Sequence, residues 1–154
     1  LFWFINGLPV GEEVFSDNPF IVCTYQLDCV ASICIGAAFI AFPQWLLHRQ
    51  VSVSLDASHE LAARLMGAYF VATFQISQHA LHWDSVEDRR VGIQSRIIST
   101  ASILAAQLWS QKEYNKDWSG DHWVGISLFS IWTISAIGYS FVAPTDTPEA
   151  KKSN

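Results

Sequence analysis

The sequence holds 154 residues, the size of one domain. Apolar residues make up 51% and charged residues 15%, well below the ~25% charged that soluble domains carry; with seven Trp and a positive mean hydropathy, this points away from an ordinary soluble protein. A formal charge of −5, with no basic cluster, Gly-rich phosphate loop or low-complexity tract, argues against a nucleic-acid binder.

The chain opens on Leu1 rather than Met and is expected to be a fragment or a processed product. LFWFI at its start is too short to span a bilayer and lacks the basic flank of a signal peptide. Residues 1–19 are therefore expected to form an interfacial or partial N-terminal segment. Four apolar stretches follow, each near the ~20 residues needed to cross ~30 Å of hydrocarbon. The first covers about 20–42 and is closed by Pro43. The second covers about 61–81, with Asp56 upstream as an N-cap. The third covers about 91–109. The fourth covers about 122–143 and is followed by Pro144. Three polar connections separate them. The segment 44–60 is the longest, and its VSVSL alternation reads as a short extended piece. The segment 82–90 is short and charged, 110–121 reads as a solvated turn, and 144–154 is a polar tail expected to fray.

The expected fold is all-α, an integral membrane four-helix bundle with short loops over residues 20–143. A soluble bundle needs a wide polar face on each helix, and the stretch 30–42 has none. Trp45, Trp83, Trp109, Trp118 and Trp123 sit at the ends of the stretches, as an interfacial aromatic belt would place them. Basic residues divide almost evenly between the two sides: Arg89, Arg90, Lys151 and Lys152 on one, Arg49, Lys112 and Lys116 with nearby Arg64 on the other. The orientation expected is with both ends in the cytosol.

Asp28 lies within the first apolar stretch. An ionisable group in a membrane helix costs about 2.5–3.5 kcal/mol on insertion scales, so it turns inward and finds a partner. Helix three enters from the same side and brings Arg96; helix two leaves there and brings Gln75, Gln78 and His79. These five residues are the expected intramembrane polar cluster. One reading is a structural pin, with Asp28 paired to Arg96 and glutamines bonding across helices. The other is a polar cavity that handles a headgroup, a proton or an ion. The pin is the preferred reading of the sequence. Small residues recur every fourth position, in pairs such as Ser32 and Gly36, Ala37 and Ala41, Ala68 and Ala72, and Ser95 and Ser99. With Gly67 they are expected to let the helices pack closely.

Cys23, Cys29 and Cys34 are spaced wrongly for a metal knuckle or a redox pair and are expected to be small, buried, reduced thiols. His59-Glu60 begins an HExxH motif, but Ala63 replaces its second histidine. His79 and His82 share a helix face, with no facing histidine to bridge a haem. HALHWD, from His79 to Asp84, matches the H-x4-D pattern of glycerolipid acyltransferases. The larger domain and the substrate-binding motifs of that family are missing. No catalytic residue, metal or cofactor is expected. The charged run from Asp84 to Arg90 reads as a solvated loop that can also dock a cytosolic partner.

Ala41-Phe42-Pro43 closes the first stretch. After a loop of about twenty residues, Arg64-Leu65 and Gly67-Ala68 open the second, and short turns lead to the third and fourth. In this order the chain resembles the small four-helix membrane proteins typified by p53-inducible protein eleven. It departs from them in Asp28, a longer third loop and an aromatic N-terminal segment. The resemblance implies an intracellular membrane protein, of the endoplasmic reticulum or a related endomembrane, without chemistry of its own. The expected function is a non-enzymatic accessory or scaffold subunit that meets membrane lipids and other membrane-protein subunits, in the setting of lipid transfer or lipid homeostasis. The alternative is a small transporter or lipid-modifying enzyme built around the polar cluster. A cavity open at Asp28 and Arg96 would favour the alternative; a dry, fully paired cluster would favour the scaffold.

Overall fold

A computed structural model describes residues 19–83 and 85–142. The LFWFI segment, the polar tail and Asp84 of the H-x4-D pattern lie outside these residues. The described chain is all-helical, with five helices rather than the four expected. They are α1 (Pro19–Ala41), α2 (Pro43–Gln50), α3 (Ala57–Ala80), α4 (Val86–Glu113) and α5 (His122–Val142).

The extra helix comes from Pro43. Proline bars the preceding residue from the helical region, so Phe42 sits at φ −130°, ψ 47° and α1 stops at Ala41. A proline also suits the first position of a helix, and α2 starts there at once. The polar stretch after Pro43 is therefore helical up to Gln50. Past it, Val51 is extended and pairs with Trp118 in an isolated antiparallel bridge, flanked by Ser52 N to Asp117 O at 2.8 Å and Ser119 N to Gln50 O at 2.8 Å. The extended piece thus begins at Val51 and ties the α2–α3 loop to the α4–α5 turn.

α3 starts where Asp56 caps it, accepting from Ser58 N at 3.0 Å and His59 N at 3.3 Å. Ser85 caps α4 by accepting from Asp88 N at 3.2 Å, which starts that helix five residues earlier than the apolar pattern indicated. Capping by a polar side chain moves a helix boundary outside its hydrophobic stretch.

α1 packs along α3 in antiparallel fashion, and α4 packs along α5. The α1–α3 crossing is set by two glycines. A Cβ added at Gly36 would lie 2.9 Å from Gly67 O, and one added at Gly67 would lie 2.8 Å from Gly36 O. The expected packing pairs are corrected here. Ala37, Ala41, Ala68 and Ala72 are exposed, and Ser99 donates back to Ser95 O of its own helix at 2.8 Å. Fourfold spacing puts two small residues on one face, but only the inward face meets a neighbour. Arg64 Nη1 reaches Ile40 O at 2.6 Å and satisfies a carbonyl at the end of α1. The cysteines are likewise corrected: all three are free, but only Cys29 is buried, while Cys23 and Cys34 are exposed.

Two buried regions join the helix pairs. Near the start of α1, Tyr25, Ala80, Leu81, Ile93 and Tyr139 form one cluster, with Tyr25 and Tyr139 edge to face at 5.4 Å. At mid-bundle Phe70, 1% exposed, meets Phe129 and Trp132, each at 5.9 Å between ring centroids. Between these regions sits the polar site.

Candidate functional site

Each of the four long helices sends polar groups to one point. Asp28 Oδ2, on α1, accepts from Arg96 Nε on α4 at 3.1 Å, from Arg96 Nη2, and from the Ser77 hydroxyl on α3. Asp28 Oδ1 accepts from the Trp132 indole N–H on α5 at 2.7 Å. Arg96 Nη2 also donates to Ser32 Oγ at 2.8 Å and to Ser77 Oγ at 3.2 Å. The guanidinium lies over the Trp132 ring, 5.2 Å from its centroid. The side chains are 6% exposed for Arg96 and 13% for Asp28.

The carboxylate accepts four hydrogen bonds, three at Oδ2 and one at Oδ1, and its charge cancels that of the guanidinium. One group is left over. Arg96 Nη1 is buried and has no hydrogen-bond partner. A buried donor without a partner carries its full desolvation penalty, about 1–3 kcal/mol and more when charged.

Beside this cluster lies a cavity of about 510 Å³, within the ~300–1,000 Å³ typical of small-molecule sites. Leu27, Asp28 and Ala31 of α1 form one wall, and Ile131, Trp132 and Ser135 of α5 form the other. Ser77 and Arg96 line it between them. α1 and α5 touch only sparingly, which leaves the groove between them. Leu27 and Ile131 are 65% and 66% exposed, so its flanks are open and apolar while its polar groups are buried.

Of the five residues expected in the cluster, the structure brings Asp28 and Arg96 together and separates the rest. Gln75 and His79 are exposed. At 3.6 residues per turn, positions two away from Ser77 fall on the opposite side of α3. Depth along the helix was matched, but the rotational phase was not. Gln78 is buried at 7% exposure but makes no hydrogen bond to Asp28 or Arg96. Their places are taken by Ser77, Ser32 and Trp132. Ser32 is four residues after Asp28 and so shares its face, a signal that was present in the sequence. Trp132 was legible too, since it sits in the middle of an apolar stretch where the other helix tryptophans cluster at the ends. Nothing in the sequence separated Ser77 from the other serines.

The remaining motifs gain no geometry. His59 is engaged by Asp56 at 2.7 Å, away from any ligand set. Among the described residues, no group of three His, Cys, Asp or Glu stands ready to hold a metal.

No curated protein and no solved structure matches the chain. Residues 2–141, which include the whole Asp28–Arg96 cluster and both walls of its groove, match the domain of unknown function DUF8292, and the chain belongs to that family.

Proposed function

We propose that this is a non-enzymatic integral membrane protein that holds an amphiphile in the groove between α1 and α5, in the setting of lipid transfer or lipid homeostasis. The observation that carries the reading is the cavity that opens between two apolar helices onto a buried ion pair. α1 and α5 are long and apolar enough to cross a membrane over Val22–Ala41 and His122–Phe141. Only 22% and 33% of these spans are buried, whereas the core helix of a soluble protein is mostly buried. Val124, Ile134 and Phe141 stand 70%, 69% and 84% exposed on α5. Surface this apolar calls for lipid around it. α3 and α4 carry more polar residues, and in this reading they complete a four-span bundle in which α2 lies at one membrane face. There Trp45 carries Arg49 over its ring at 4.5 Å, a pairing suited to the headgroup level.

The cluster is a poor catalyst. Ser77 donates to a carboxylate already held by a guanidinium, so no free base stands beside the hydroxyl. The accessory-subunit reading keeps one support, since the Asp28–Arg96 pair joins all four long helices and fixes their register. A scaffold has no need of the groove, however. The endoplasmic reticulum or a related endomembrane is part of this proposal, and its support is the resemblance read from the sequence alone.

Alkaline extraction is expected to leave the protein in the membrane pellet. Purified in mild detergent, it is expected to retain about one amphiphile per chain by lipid extraction and mass spectrometry. Gly138 lines the groove, and a Cβ there meets nothing within 4 Å. Gly138→Phe is expected to fill the space and expel the lipid while membrane retention holds. Release by alkali would overturn the membrane assignment, and a lipid-free protein would overturn the binding one.

A further inference from the structure

We infer that the groove draws its occupant from one leaflet only: a lipid hydrocarbon chain whose head lies at the face where α1 begins and α5 ends. This deepens the binding reading above and rests on it. On α1 the lining residues lie within 23–31, and on α5 within 128–138. α3 contributes only from 76–80 and α4 only from 92–96. α1 and α4 run away from that face while α3 and α5 run towards it, so all four stretches share one end of the bundle. At 1.5 Å per residue the groove covers about 12 Å of α1 and about 15 Å of α5. One leaflet supplies half of the ~30 Å hydrocarbon core. The apolar spans Val22–Ala41 and His122–Phe141 have their midpoints beside Ala31 and Ile131. The groove therefore stops at the midpoint on α1 and about 5 Å beyond it, at Leu128, on α5.

The packing accounts for the stop. Past Ala31, α1 is drawn onto α3 by the Gly36–Gly67 contact. At mid-bundle the buried Phe70 packs with Phe129 and Trp132, and the three rings fill the space through which the groove would continue. The outer end is different. Gly92 and Gly138 line it, and a Cβ added at Gly138 meets nothing within 4 Å. Trp83 stands there, 3.5 Å from a Cβ added at Gly92, as a ring suited to the headgroup level.

Depth also decides the kind of occupant. A partner's membrane helix runs the full ~30 Å of hydrocarbon, so about half of it would lie beyond the groove. A lipid chain has the reach of one leaflet. It enters sideways between Leu27 and Ile131, the exposed flanks. Inside, Ala31, Ile76 and Leu128 meet it with hydrocarbon.

The test uses the full chain, loaded in phosphatidylcholine vesicles, extracted into mild detergent and washed so that only retained lipid remains. Photoactivatable phosphatidylcholine and photoactivatable fatty acid are used in separate arms. Each carries its diazirine either next to the carbonyl or at the chain end, and labelled residues are mapped by mass spectrometry. The chain-end probe is expected to label residues around 28–31 and 128–132 at least several-fold more than the carbonyl-end probe does. The carbonyl-end probe is expected to show the reverse preference, for residues around 23–24 and 136–138. The arm with the stronger labelling identifies the source of the chain. Carbonyl-end labelling around 36–41 or 122–126, or equal labelling by both probes along the whole of α1 and α5, would overturn the one-leaflet inference and leave the binding reading standing. No retained probe in either arm would overturn both.

Discussion

Gly36 and Gly67 face each other so closely that each occupies the space where the other's side chain would begin. Backbone atoms are in the way, Gly67 O at 2.9 Å from a Cβ at Gly36 and Gly36 O at 2.8 Å from a Cβ at Gly67, alongside the Val71 and Ile40 side chains. Neither carbonyl can yield as a flexible side-chain tip would. Gly36→Ala and Gly67→Ala are each expected to push α1 from α3 and cost about 1–3 kcal/mol, the range for overpacking a tight contact. Gly138→Ala, with open space around its Cβ, is the control and is expected to be neutral or slightly stabilising through better helix propensity. Reversible unfolding in mixed micelles measures all three, and a Gly67→Ala protein as stable as the parent would show that the crossing is loose.

How much of this was legible in the sequence depends on which direction is considered. Length along a helix is written in the run of apolar residues, so the four long helices and the shared depth of Asp28 and Arg96 were readable. Rotation about the axis is written only where one face differs from another. α3 carries polar or small residues on several sides, so Gln75 and His79 looked as eligible as Ser77, and its inward face was set by Gly67 and Phe70 instead. α2 has no apolar run to announce it, and Pro43 marks a helix end in the sequence although a proline is equally suited to begin the next helix. The groove had no linear signature at all. It arises where α1 and α5, distant in the chain, fail to pack fully.

The ion pair gives an expectation whose sign depends on which partners are removed. Asp28→Asn alone leaves Arg96 buried without a counter-ion, and Arg96→Gln alone leaves Asp28 so. Each is expected to cost on the order of 3–5 kcal/mol, the range for breaking a buried pair. The double variant carries no buried charge and is expected to recover much of that loss. A double-mutant cycle on unfolding free energies reads the coupling. Additive losses would mean that the two charges do not depend on one another.

Trp132 can be separated into its two roles. Its indole N–H donates to Asp28 Oδ1 at 2.7 Å, and its ring stacks against Phe70 and Phe129. Trp132→Phe keeps a ring and deletes the donor. It is expected to cost about 1.5–3 kcal/mol, as for a hydrogen bond to a charged group. In an Asp28→Asn background the same substitution is expected to cost less, because the acceptor is then uncharged. An equal cost in both backgrounds would assign the loss to packing alone.

The start of α3 carries an acid-sensitive cap. The Ser58 hydroxyl, at 2.6 Å, contributes most to holding the Asp56 carboxyl well below the usual carboxylate range; the side chain and backbone N–H of His59 add to it. A depressed value means that the folded state prefers the ionised form. The cap's contribution is therefore complete above the ordinary value of about 3.9 and is lost as pH falls through the lower, folded one. The amide resonance of Ser58 is expected to stay at its helix-cap position through neutral and mildly acidic pH and to move only below that ordinary value. His59→Gln removes the imidazole while keeping the Ser58 bonds, and it is expected to show the same acid step. Asp56→Asn, which still caps but does not ionise, is expected to show none. A Ser58 transition centred at or above the ordinary carboxylate value would mean that the hydroxyl and amide bonds to Asp56 do not persist in solution.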